Sequence, residues 1–235
     1  MYRTKFPRLC ELKDQLPQSG NSESLYFQNF EKTIDDSRSA HDAFRALEGE
    51  LGVLDHEAWE FLKNEAVSLL SKRCPERNWE QLFNKLNEAK GYKLLKDLGC
   101  KQVTFIPGSK KDSEKTPDLE GILFGDLILC EVKTINISGD EITKRKNIIP
   151  RDAEYELSKE FFDKFDSTLD EAESQLLSYR KSDPSRRIVY FVIHFDEPLA
   201  LMFDGYRTAY GRQLRDHIVG RKSGSVEIKV HGLLP

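Results

Sequence analysis

The stretch TPDLEGILFGDLILCEVKT, residues 116–134, sets Asp118, Glu131 and Lys133 at the open end of an apolar hairpin. Charges buried without partners cost several kcal/mol, so residues of this kind on sheet strands need a pairing or a task. Gly125-Asp126 is the expected two-residue turn, flanked by Ile122-Leu123-Phe124 and Leu127-Ile128-Leu129. With Phe124 facing Leu127, counting outward sets Ile122 against Leu129, Glu120 against Glu131 and Asp118 against Lys133. Alternation along the strands puts all of these side chains on one face. Opposed residues lie about 5 Å apart and diagonal ones about 7–8 Å apart, so Asp118 and Glu131 are diagonal neighbours able to share a cation. Leu123, Ile128, Cys130 and Val132 form the other face, the one expected under a helix.

A pair of carboxylates suits a hard divalent ion such as Mg²⁺, which takes oxygen ligands and often one or two carboxylates. Lys133, two residues beyond Glu131, points at the same spot. There it can orient or deprotonate a water, or offset charge as a phosphodiester is attacked. Pro117-Asp118 followed by Glu131-Val132-Lys133 resembles the signature of the PD-(D/E)xK phosphodiesterase superfamily, which includes restriction endonucleases and Holliday-junction resolvases. The resemblance spans roughly residues 77–196. It implies Asp118, Glu131 and Lys133 as catalytic residues. It also implies Mg²⁺ or Mn²⁺ held by Asp118 and Glu131, with help from the Val132 carbonyl and Glu88. The bland alternative is an Asp118–Lys133 salt bridge at a sheet end, with Glu131 solvated. Glu120 is expected to face water.

The 235 residues suffice for one good core and a smaller appendage. No apolar run approaches ~18–20 residues and the first residues lack a signal-peptide core, so a cytoplasmic protein without membrane contact is expected. Cys10, Cys74, Cys100 and Cys130 form no CxxC or zinc spacing and read as reduced thiols. A formal net charge of −4 argues against indiscriminate nucleic-acid binding, so contact with DNA must come from a local basic surface.

Residues 1–28, with Pro7, Pro17 and QSGNSES, read as a flexible arm. Residues 29–75 show helical spacing, with Asp55 as a cap, and form an N-terminal helical element. Residues 76–235 make up the nuclease-like domain. Here a helix over 77–98 ends at Gly99, a strand covers 101–107, and the hairpin follows. EYELSKEFFDKFDSTLDEAESQLLSYRK is helical, RRIVYFVIHFD a buried strand, GYRTAYGRQLRDHIVG a helix and SVEIKVH a last strand. The order matches the restriction endonuclease-like α-β-β-β-α-β core that the resemblance implies, an α/β fold with a mixed sheet flanked by helices.

Glu88 shares a helix face with Gly91 and Leu95, and is either a metal ligand or a glutamate facing solvent among lysines. Gln175 reads as a surface amide, although relatives in the resembled superfamily place a glutamine or lysine there to position substrate. Lys144, Arg145 and Lys146 are either a phosphate contact or a solvated charge run. Arg207, Arg212 and Arg215, with Arg221 and Lys222, interleave with Tyr206 and Tyr210 as the best candidate nucleic-acid surface. His194 reads as structural.

The expected function is metal-dependent hydrolysis of phosphodiester bonds, in DNA before RNA. The alternative is a catalytically silent nucleic-acid-binding or assembly protein that kept the fold. A homodimer is an arrangement left open.

Overall fold

Helices bury an apolar stripe, and this chain begins to do so within its first fifteen residues. The computed structural model describes residues 2–16, 27, 29–72, 79–109, 115–136, 157–179, 184–194, 204–221 and 225–231, with backbone alone at Ser39, His194 and 204–208. They fall into two compact units, Met1–Phe105 with Gly121–Leu123 and Ile106–Glu120 with Phe124–Pro235.

The first unit corrects the reading of a flexible arm. Tyr2–Lys5 (α1) and Pro7–Asp14 (α2) are helical, and Phe6, Leu9, Cys10 and Leu12 are buried. Phe6, Leu9 and Cys10 recur at three- and four-residue spacing, a short stripe that the surrounding charges and proline obscure. Pro7 occupies the first helical position, where the N–H it lacks would have had no partner. The Glu48 carboxylate then accepts hydrogen bonds from the Arg8 and Leu9 backbone N–H groups, both at 3.0 Å, and closes the helix start. Residues 17–26 and 28 lie outside the described residues.

Among the described residues, four more helices follow in this unit: Phe30–Asp36 (α3), Arg38–Leu51 (α4), His56–Val67 (α5) and Glu80–Asp97 (α6). Asp55 caps α5 as expected, accepting from Ala58 N at 2.9 Å, and takes the Tyr92 hydroxyl on its other oxygen. Phe30 meets Phe6 and Phe44 edge-on, with centroids 5.7 and 5.0 Å away. Past α6, Gly99 adopts φ +88° while Cys100 N donates back to Leu95 O, which ends the helix where the sequence placed its cap. The strand Lys101–Phe105 (β1) packs here too, Phe105 stacking on Phe61 and Tyr92.

Leu119–Leu123 (β2), Asp126–Asn136 (β3), Lys159–Ser178 (α7), Arg186–His194 (β4), Asp204–Gly220 (α8) and Glu227–Val230 (β5) complete the described elements. The strands form one sheet in the order β1-β2-β3-β4-β5. β4 runs parallel to β3, with Glu131 beside Val189 and Lys133 beside Phe191, and β5 runs parallel to β4. Because β2 and β3 form a hairpin, the sheet is mixed. In the second unit a helix crosses between the parallel strands: Phe165, Leu169, Ala172 and Leu176 of α7 join Leu129, Ile135, Val189 and Phe191 in one core. The face bearing Glu131 and Lys133 is therefore itself helix-covered, which the hairpin reading had reserved for the opposite face.

The turn is also one residue earlier than expected. Phe124 and Gly125 have φ of +54° and +99°, and two-residue hairpin loops with positive φ at both central positions match strand twist best. Strands thus end at Leu123 and resume at Asp126. Counting outward, Asp118 now lies across from Glu131 rather than Lys133. Both strands shift together, so the pairing moves by an even number and the side chains keep their common face.

Leu12 is fully buried in α2. We predict that Leu12→Ala costs about 2–5 kcal/mol in urea denaturation of the full chain. Wild-type stability would restore the picture of a loose arm.

Candidate functional site

Glu131 sits in the middle of β3 with only 2% of its surface exposed. Its carboxylate is held from two sides. Lys133 Nζ lies 2.8 Å from Oε1, and the Gln175 side-chain amide donates to Oε2 at 2.9 Å. The same Gln175 nitrogen donates to the Thr116 carbonyl, tying α7 to the segment that leads into β2. Asp118, half-buried, accepts from the Val132 backbone N–H at 2.7 Å, and its own carbonyl accepts from Ile106 N. Two carboxyl groups, one ammonium and one amide thus meet where the hairpin opens.

Burial, first, and the facing Asp118 carboxylate, second, push the Glu131 carboxyl up to about 8, against the pull of Lys133. Burial acts to lower the Lys133 ammonium, but Glu131 and Asp118 outweigh it and its pKa is raised. Near neutral pH Glu131 therefore favours its protonated form, and Lys133 is the ammonium. Glu171, one helical turn before Gln175 on α7, pairs with Lys115, and this contact together with the field of Lys133 lowers its carboxyl.

The structure brings together Asp118, Glu131 and Lys133, and adds Gln175, which the sequence reading had left on the surface. The signal was present: Gln175 falls three residues after Ala172 and beside Leu176, on the buried stripe of α7. Val132 takes part through its amide, whereas the resemblance invoked its carbonyl. Glu120 is half-buried in β2. Glu88 lies in the other unit, buried with Gly91 and Leu95 on α6, its carboxylate 2.7 Å from Lys85 Nζ, so the reading as a solvent-facing glutamate is corrected. Among the described residues, no three His, Cys, Asp or Glu side chains gather as a metal-binding group. Asp118 and Glu131 are the two carboxylates that this cluster could offer a hard divalent ion, which takes oxygen ligands.

The basic surface is only partly as read. Arg212 and Arg215 are exposed on α8. Tyr210 is buried in the core beside Leu214, four residues on, and is not free to stack on a base. Arg221 is tied to α7 through Asp166 and Asp170. The Arg207 side chain, Lys144, Arg145, Lys146 and Lys222 lie outside the described residues, as do the side chains of Tyr206 and His194. None of the described helices is long and apolar enough to cross a membrane.

Comparison with known proteins gives no match, whether to a family model, a curated protein or a solved structure. The resemblance of Pro117-Asp118 and Glu131-Val132-Lys133 to the PD-(D/E)xK signature therefore rests on the sequence motif alone.

A test of the electrostatics needs no substrate. The folded Glu131 holds its proton up to about pH 8, whereas an ordinary glutamate releases it near 4.5. Between those values the folded state binds the extra proton, so stability falls as pH rises and levels off above about pH 8. We predict that Glu131→Gln removes this slope, so that in EDTA the variant gains on wild type in melting temperature across that window. Parallel pH profiles for the two proteins would contradict the assigned burial.

Proposed function

We propose that this chain is a metal-dependent nuclease that hydrolyses phosphodiester bonds, in DNA before RNA, on a restriction endonuclease-like core. The observation that carries the reading is the buried Glu131, set across from Asp118 and gripped by Lys133 and Gln175. The element order α6-β1-β2-β3-α7-β4 supports it as well. A sheet interior gains nothing for stability from such a cluster, since well-packed apolar residues serve as well or better.

In this reading Asp118 and Glu131 hold Mg²⁺ or Mn²⁺. A divalent ion bound there supplies Lewis-acid activation of the scissile phosphate. Asp118 is fixed by the Val132 N–H, which sets its carboxylate beside the strand that carries Glu131. Gln175 fixes the rotamer of Glu131 and keeps one oxygen oriented. Lys133, held as an ammonium, offsets negative charge developing on the phosphate and donates to the attacking water; the raised pKa argues against its acting as the base. The exposed Arg212 and Arg215 are the described candidates for phosphate contact, and Lys144 to Lys146 follow in sequence beyond β3.

A second reading is favoured by a specific observation. Both Glu131 oxygens already have protein partners, which is how a silent domain that kept the fold for binding or assembly would settle its charges.

Cleavage assays on single-stranded, duplex, branched and RNA substrates, with Mg²⁺, Mn²⁺ or EDTA, separate the two. We predict that Asp118→Ala and Lys133→Ala each lower cleavage by orders of magnitude while the fold persists. A Lys133→Ala protein that cuts at the wild-type rate would falsify the role given to the lysine.

Binding supplies a further check. Each phosphate contact contributes about one unit to the slope of log affinity against log salt. Neutralising Arg212 and Arg215 together is predicted to flatten that slope by about two units. An unchanged slope moves the surface away from α8.

A further inference from the structure

We infer that Phe124, at the tip of the β2–β3 hairpin, stacks on an unpaired base of a nucleic acid that reaches the Asp118–Glu131–Lys133 site. The inference rests on the nuclease reading and extends it to a substrate with a single-stranded segment. Phe124 is 99% exposed, so its ring contributes nothing to the core. It also stands at φ +54°, a left-handed conformation that a bulky side chain strains and that asparagine or glycine accepts readily. Asn-Gly is the favoured pair for this turn, yet the chain has Phe-Gly. Neither turn stability nor packing accounts for a phenyl ring there, and strain of this kind at an exposed position points to a ligand.

Position narrows the ligand. Phe124 and Glu131 belong to one hairpin, and β3 between them is anchored by the buried Ile128, Leu129 and Cys130. At about 3.3 Å per residue the ring lies roughly 23 Å along the strand from Glu131, the rise of about seven base pairs. A strand that leaves the site along β3 comes within reach of the tip. Beside the ring, Asp126 is exposed and disfavours phosphates, so the contact is with a base face. Bases locked in a duplex stack are closed to it, whereas unpaired ones offer a π-face whatever their identity.

The test uses the full chain in EDTA, where binding proceeds without cleavage, and a fluorescein-labelled single strand of about 20 nucleotides beside the matching duplex. Phe124→Asn is expected to weaken single-strand binding about fivefold to a hundredfold, leaving the salt slope unchanged because no phosphate contact is lost. It is also expected to raise the melting temperature by about 2–4 °C, since the turn is relieved of strain. Phe124→Trp is expected to bind at least as well as wild type, with its emission altered by the strand. Wild-type affinity in Phe124→Asn overturns the inference while leaving the nuclease reading intact, provided the wild-type protein binds or cuts. If that variant instead loses a self-associated state in sedimentation at unchanged affinity, the ring belongs to a contact between copies and the inference is overturned. A wild-type protein that neither binds nor cuts any of the substrates overturns both.

Discussion

Between α7 and β3, the Gln175 amide reaches the Glu131 carboxylate at 2.9 Å and the Thr116 carbonyl beside it. A single nitrogen thus joins the crossover helix, the central strand and the segment that delivers Asp118. The helix can approach this closely because Phe165, Leu169, Ala172 and Leu176 sink into a common core with Leu129, Val189 and Phe191. That closeness strips water from Glu131 and makes its charge costly, which Lys133 only partly offsets. Packing energy is the source of the strained electrostatics, and the cluster inherits its order from the core beneath it.

What the sequence disclosed follows from the range of the interactions involved. The cap at Asp55 and the helix end at Gly99 were legible because each is decided within four or five residues of chain. The common face of Asp118, Glu131 and Lys133 was legible for a similar reason, since alternation survives an even shift in register. The turn was misplaced because Phe124-Gly125 and Gly125-Asp126 both span two residues, and only backbone geometry shows which adopts positive φ. A local rule that favours Asn-Gly gave no reason to put phenylalanine there; such departures gather at functional or strained positions. The burial of Gln175 and Tyr210 depended on which face of each helix turned inward. On α7 the acidic residues around Gln175 masked its place in the apolar stripe, and on α8 the interleaved arginines masked Tyr210. The helical start of the chain was hidden by its brevity, because α2 draws its stability from Glu48, some forty residues on.

Glu48 and Glu131 make an instructive pair. Both are buried carboxylates, 8% and 2% exposed, and burial raises both. Glu48 finds two backbone N–H donors at a helix start, which consume its lone pairs in one structural duty. Glu131 is met instead by the Lys133 and Gln175 side chains as well as the Asp118 backbone, so three separate segments converge on one carboxyl group. Burial by itself therefore does not mark a functional acid.

The last strand of the sheet has its own consequence. β5 is four residues long and, among the described residues, is the last strand in the order, the position where backbone groups can pair with another chain. Glu227 and Lys229 occupy alternate positions along it, joined by an ion pair at 2.7 Å, and Arg186 of β4 meets Glu227 as well. Any strand laid against this edge would have to displace or desolvate that charge triplet. Brevity and charge together make β5 a poor template for sheet extension.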